Sequence, residues 1–179
     1  RLELDSDAAE RIEKSRHFLE EYTRSTSTPI YGVNTGFGAL CNVEVDATNL
    51  SKLQTNLVRS HACGAGSEIS AEIVRLMMAL KIQSFAVGVS GIRLEVVRQI
   101  LSMYNSGAVP VIYELGSLGA SGDLAPLAHM SLPLLGEGEV RLHGVKYGTK
   151  KALAELGHHG WDALTLASNE GLALLNGTQ

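Results

Sequence analysis

Three glycines spaced three apart, Gly116, Gly119 and Gly122, frame Ser117-Leu118 and Ala120-Ser121, and the stretch runs on through Asp123-Leu124-Ala125-Pro126-Leu127-Ala128-His129. Glycine opens turns that are closed to residues with a side chain. In Ala120-Ser121-Gly122 such a turn carries a chemical option. The Gly122 nitrogen, with no Cβ beside it, can bond to the Ala120 carbonyl carbon and close a five-membered ring as one water leaves. Loss of the Ser121 hydroxyl as a second water then leaves an exocyclic methylene conjugated to two carbonyl-type groups. No ordinary side chain supplies such an electrophile, and it suits a reaction that needs an electron sink. Asp123 is a good N-cap and Pro126 falls in a first helical turn, where its missing N–H breaks no helical bond. The triplet is therefore expected at a helix N-terminus, whose partial positive charge favours anions formed nearby.

The string from Gly116 to Leu135 resembles the signature of the aromatic amino acid ammonia-lyases and aminomutases. In that family an Ala-Ser-Gly triplet becomes the prosthetic group 4-methylideneimidazol-5-one (MIO). The resemblance implies that Ala120, Ser121 and Gly122 form this group autocatalytically, with no metal and no diffusible cofactor. A second motif, Tyr31-Gly32-Val33-Asn34-Thr35-Gly36-Phe37-Gly38, reads from spacing alone as a flexible turn too irregular for a strand. It matches the family loop that carries the catalytic tyrosine, so Tyr31 inherits that role and Gly38 is placed with the substrate. An unperturbed phenol has a pKa of about 10, so a basic role near neutrality requires positive potential around Tyr31.

Two further strings complete the match. Ser60-His61 falls on the two-residue site that helps to select the substrate ring, where Ser-His resembles the histidine ammonia-lyases and points to an imidazole. Bacterial tyrosine aminomutases carry Ser-His too. In Glu170-Gly171-Leu172-Ala173-Leu174-Leu175-Asn176-Gly177-Thr178-Gln179, Asn-Gly by itself is only a turn signal. By resemblance, Asn176 brings its amide to the prosthetic group and the bound substrate.

The resemblance thus implies non-oxidative elimination of ammonia from L-histidine to give urocanate, with self-association into a homotetramer whose sites draw residues from three subunits. Tyrosine aminomutase and tyrosine ammonia-lyase are the alternatives within the family, and a catalytically silent truncated domain is the alternative outside it. The match covers about Pro29 to Gln179, and the chain begins without methionine. Residues 1–179 are therefore expected to be the N-terminal, MIO-bearing domain of a longer lyase, without its central bundle of long helices. The expected fold is mainly α, the N-terminal domain of the fumarase/aspartase-like (ammonia-lyase) fold, with a small β-hairpin.

Composition narrows the partners. A chain of 179 residues with net charge -4 offers no electrostatic case for nucleic acid or an anionic membrane, which leaves small polar solutes. Its two cysteines, Cys41 and Cys63, make no disulfide framework, no clustered Cys/His spacing suggests zinc, and a reducing cytoplasm fits best. The most apolar run, Ile73 to Val89, is interrupted by Arg75 and Lys81 and reads as a buried helix rather than a membrane span. A glycine-lysine phosphate loop, dinucleotide-binding spacing and a serine-hydrolase nucleophile elbow are all lacking.

The elements that must position these residues follow from periodicity and caps. Asp5 or Ser6 starts a helix to about Tyr22 with Ala9, Ile12, Phe18 and Leu19 on one stripe, followed by a polar connector over Arg24 to Thr28. Thr48 or Asn49 starts a helix carrying Leu50, Leu53, Leu57 and Val58, with Gly64 as a stop. Ser70 caps Ala71 to about Ala86, whose apolar face is read as Ile73, Leu76, Met77, Leu80 and Ile82, with Met77 and Met78 filling core. Leu94 to about Tyr104 is helical, Val109 to Tyr113 is extended, and Leu124 to Leu135 is helical until Pro133 and Gly136 disturb it. Val140-Arg141-Leu142 and Val145-Lys146-Tyr147 form a hairpin about His143-Gly144, and Thr149 caps a brief helix to Leu156. His158 and His159 belong to a solvated turn, Trp161 is a packing anchor, and His17 and His129 are read as structural.

Overall fold

Local chemistry sets where the helices begin and end. In the computed structural model, which describes residues 1–26 and 28–177, the Asp5 carboxylate accepts from the Asp7 N–H at 3.0 Å and starts α1 (Ser6–Ser25). Helix α1 buries Ala8 and Ile12. Phe18, expected on the buried stripe, lies in solvent and stacks on Tyr22 with ring centroids 6.0 Å apart. Of the polar connector, Ser25 closes α1 and Ser27 lies outside the described residues, as do Thr178 and Gln179 of the C-terminal string.

A 3-10 turn, Ala47–Asn49, capped by the Asp46 carboxylate, leads into α2 (Leu50–His61). Then come β1 (Ala65–Glu68), α3 (Ala71–Ala86), α4 (Leu94–Asn105), β2 (Val109–Pro110) and β3 (Tyr113–Leu115). After the glycine-rich loop follow α5 (Ala125–Ser131), a 3-10 turn over Leu132–Leu135, β4 (Glu139–Leu142), β5 (Val145–Gly148), α6 (Thr149–Leu156) and α7 (Glu170–Leu175). The fold is mainly α, with the expected hairpin in place. His143 and Gly144 turn it with φ of 51° and 81°, the left-handed pair that matches strand twist. Strand β2 adds to the hairpin in the order β2-β4-β5, and β1 pairs separately with β3. The β1 strand, Ala-Gly-Ser-Glu, has no alternating pattern and escaped the sequence reading.

Three side-chain expectations change. Ser70 sits at the N-cap of α3 without a capping hydrogen bond. Thr149 is the first residue of α6 rather than its cap, and its hydroxyl donates back to the Glu137 and Gly138 carbonyls at 2.5 and 3.2 Å. In α3 the buried stripe is Val74, Met78, Lys81, Ile82 and Phe85, while Ile73, Leu76 and Leu80 are 54%, 58% and 59% exposed. The helix is apolar on two sides, and periodicity does not say which one meets the core. Val74, Met78, Ile82 and Phe85 repeat at steps of four, four and three, the spacing of one helical face, and they join one continuous core with α4, α5 and α7. Trp161 anchors the far side, its indole N–H donating to the Pro133 carbonyl at 2.8 Å. Among the described residues no helix is long and apolar enough to cross a membrane.

Candidate active site

Helices α2, α5 and α7 pack against one another. Ser60 and His61 close α2, the glycine-rich loop runs directly into α5, and Asn176 is the C-cap of α7. Three of the four motifs therefore end at elements that share one junction. The fourth, the Tyr31 loop, docks on α7 by its backbone. The Gln54 amide donates to the Gly32 carbonyl at 3.0 Å, and the Ser168 hydroxyl donates to the Val33 carbonyl at 2.5 Å. Gly32 has φ +77°, and a Cβ there would fall 2.2 Å from a Leu172 methyl, so only glycine lets the loop lie this close. Tyr31 itself is 52% exposed and meets Phe37 edge to face, with ring centroids 5.8 Å apart. Gly38, at φ +56°, opens a 3-10 turn with free space beside its Cα.

The triplet lies in a tight, exposed turn. Gly119 and Gly122 exchange two backbone hydrogen bonds of 3.1 Å each, with Ala120 and Ser121 at the corner. Gly122 has φ +84° and nothing within 4 Å of a would-be Cβ. This turn suits the prosthetic group, because the three backbone units are already folded back and only glycine holds position 122 without strain. Asp123 does the work of a cap from just outside α5. One carboxylate oxygen accepts from the Ala125 N–H at 3.1 Å and from the Ser117 N–H at 2.9 Å, so it fixes both ends of the loop.

At the end of α2, His61 turns its Nδ1 to the Leu57 carbonyl at 2.9 Å, with the Ser60 hydroxyl 3.2 Å away. A carbonyl can only accept, so this contact requires a proton on Nδ1, and in that tautomer Nε2 is an acceptor. His129 is structural, as expected. Its Nε2 accepts from the Gly64 N–H at 3.0 Å, its ring meets Tyr113, and burial holds its pKa below the ordinary histidine value. It thereby ties the chain just beyond His61 to α5.

Glu170, which opens the C-terminal string, and three residues outside the motifs hold this junction. Gln54 is fully buried on α2, Glu170 is fully buried at the start of α7, Arg93 pairs with Glu170, and Lys81 donates to the Asn176 carbonyl at 2.6 Å. Gln54 and Lys81 had a sequence signal: a polar residue inside an apolar stripe must find a partner. Lys81 also lines a cleft of about 280 Å³ with Ser84, Phe85, Asn169 and Asn176; Tyr31, His61 and Ser121 do not line it.

Burial lowers the Lys81 ammonium from 10.5 to about 8. Between those values the unfolded chain keeps a proton that the folded chain has lost, so stability rises with pH across that interval. The gap corresponds to roughly 3 kcal/mol. Lys81→Met, which keeps the length but loses the bond to Asn176, should therefore stabilise the chain by about 2 kcal/mol at pH 7 and flatten the rise toward pH 10. Urea unfolding of both forms at the two pH values measures this, and the same pH dependence in both would exclude it.

The candidate site is thus a glycine-rich turn at a junction of helices, with a tyrosine-bearing loop docked beside it. The chain belongs to the aromatic amino acid lyase family, whose sequence model matches residues 1–179. It is 48% identical over 178 residues to the histidine ammonia-lyase of Deinococcus radiodurans, covering 99% of this chain and 33% of that one. A histidine ammonia-lyase structure from Trypanosoma cruzi superposes with TM-score 0.86 at 38% identity, covering 98% of this chain and 33% of that chain. The tyrosine aminomutase of Streptomyces globisporus superposes with TM-score 0.87, also at 38% identity, covering 97% and 32%. The chain thus spans about a third of the length of the relatives it matches.

Proposed function

We propose that this chain is the N-terminal, prosthetic-group-bearing domain of a histidine ammonia-lyase, which converts L-histidine to urocanate and ammonia. The observation that carries the substrate is the orientation of His61. With Nδ1 committed to Leu57, Nε2 is left to accept the N–H of a substrate imidazole. The 48% identity to a histidine ammonia-lyase supports the same reading.

The reaction breaks the Cα–N bond, removes a β-proton and forms the Cα–Cβ double bond. Formed from Ala120, Ser121 and Gly122, MIO supplies an electrophilic double bond. The other roles fall to side chains. Tyr31 Oη takes the β-proton, Asn176 presents its amide to the reacting region, and His61 orients the imidazole. Gly38, with open space at its Cα, lets substrate approach the backbone beside Tyr31. The exposure of the whole Gly116–Asp123 loop supports a site completed and shielded from water by further segments of a tetramer. The apolar side of α3 at Ile73, Leu76 and Leu80 is suited to such contacts. The assembly is placed in the cytoplasm, in keeping with the cysteine usage.

Substitution of His61 tests the substrate. In the full-length subunit, His61→Leu should lower kcat/KM for histidine by roughly 10–100-fold, the scale of one lost buried hydrogen bond, and should spare tyrosine. Equal losses on both substrates would refute the selector role. Conversion of tyrosine to its β-isomer by the unaltered protein, without urocanate from histidine, would instead establish the aminomutase reading.

A further inference from the structure

Gln54 is fully buried, and its side-chain amide is spent on two backbones distant in sequence. The amide oxygen accepts from the Gly171 N–H at 2.8 Å and the Leu172 N–H at 3.3 Å, and the NH₂ donates to the Gly32 carbonyl at 3.0 Å. The oxygen faces two donors and the nitrogen faces a carbonyl, so the amide has only one workable orientation. Gly32 follows Tyr31 directly, and Gly171 is the second residue of the six-residue helix whose C-cap is Asn176. Gly171 admits no Cβ, since one would meet the Gln54 backbone carbonyl oxygen at 2.6 Å and its amide oxygen at 2.9 Å. Gln54 also lies seven residues before His61 on the same helix, nearly the same face two turns away.

We propose that Gln54 is a positioning residue: its amide fixes the Tyr31 loop relative to α7, and so relative to Asn176. The proposal rests on the roles given to Tyr31 and Asn176 above. Bulk alone cannot do this, because the loop and the helix present a carbonyl and N–H groups that need an acceptor and a donor in one side chain.

Two substitutions in the full-length subunit test it. Gln54→Met keeps the length and loses the amide. It should speed hydrogen exchange at least tenfold at Val33 and Asn34 and also at Gly171 and Leu172, and lower kcat by roughly 30-fold or more with KM within about threefold. In a Tyr31→Phe background the same change should cost little further kcat, because its effect runs through Tyr31. Gln54→Glu presents two acceptors when ionised, but when protonated it offers one donor and one acceptor, as glutamine does. Its kcat relative to the parent protein should therefore recover as pH falls from 8 to 6.

Unchanged exchange at Val33 and Asn34 in Gln54→Met would overturn the proposal, as would an undiminished kcat loss in the Tyr31→Phe background. If Gln54→Met does not fold, the pH profile of Gln54→Glu decides, and a flat one counts against the clamp. If the parent protein makes no urocanate, the lyase reading fails by itself, and exchange in the two segments still decides whether the amide joins them.

Discussion

Full-length subunit carrying Ser121→Ala should fold and assemble but lose turnover of histidine by roughly 10³-fold or more, the scale on which loss of a covalently reacting group registers. The argument is one of atoms. Ring closure bonds the Gly122 nitrogen to the Ala120 carbonyl carbon and expels one water. The second water takes a hydroxyl from Cβ of residue 121 and a proton from its Cα. Alanine has no hydroxyl to give, so the variant can lose one water at most. Intact mass should show about 36 Da missing from the parent and no more than about 18 Da missing from Ser121→Ala. The fold should tolerate the change, because residue 121 lies exposed at the corner of a turn held by the Gly119–Gly122 backbone pair. A parent at its unmodified mass would mean that the triplet stays a loop, and a variant with full activity would remove Ser121 from the chemistry.

The largest effect on stability is expected at Arg93–Glu170. Glu170 is fully buried, and its carboxylate accepts from Arg93 Nε at 2.7 Å and Nη2 at 2.8 Å, from the Arg93 N–H at 3.1 Å and from the Ala167 N–H at 2.7 Å. Arg93 is partly exposed and also donates to the Thr165 carbonyl. The two partners are therefore unequal. Arg93→Met strands a carboxylate with no access to water and should cost about 3–5 kcal/mol. Glu170→Leu leaves a guanidinium that still reaches water and should cost less. The double variant should be more stable than Arg93→Met alone, because the stranded charge is gone. Urea unfolding of the four forms measures this, and simple additivity would show that the pair does not act as a unit. Because Glu170 immediately precedes Gly171, a loss here should also loosen the helix that ends at Asn176.

How far the sequence could be read depended on the range of the interaction concerned. The hairpin was legible because His143-Gly144 separates two alternating runs, and α1 because the donor to the Asp5 carboxylate, the Asp7 N–H, lies only two residues on. The role of Asp123 was visible because both of its N–H partners lie within six residues. Thr149 misled for the opposite reason, since its hydroxyl found carbonyls eleven and twelve residues back instead of its own helix. In α3 the period was right and the face only partly so: Ile82 is buried and Met77 packs on the core as read, while Ile73, Leu76 and Leu80 face out, because a helix apolar on two sides carries no mark of which side the core will take.

By itself the sequence named the triplet proposed to close into a ring and the candidates around it. The proposed closure needs only three consecutive residues, and the strings around Tyr31, Ser60-His61 and Asn176 are local too. Only the tertiary structure decided how those strings are held. The Gln54 amide joins segments 22 and 117 residues away, and Arg93 meets Glu170 across 77. Such partners are chosen by packing, which leaves each buried donor facing whichever acceptor the fold brings to it. The placing of His61 Nδ1 against the Leu57 carbonyl has the same origin: it follows from a ring turned back on Leu57, a rotamer that composition and spacing do not contain.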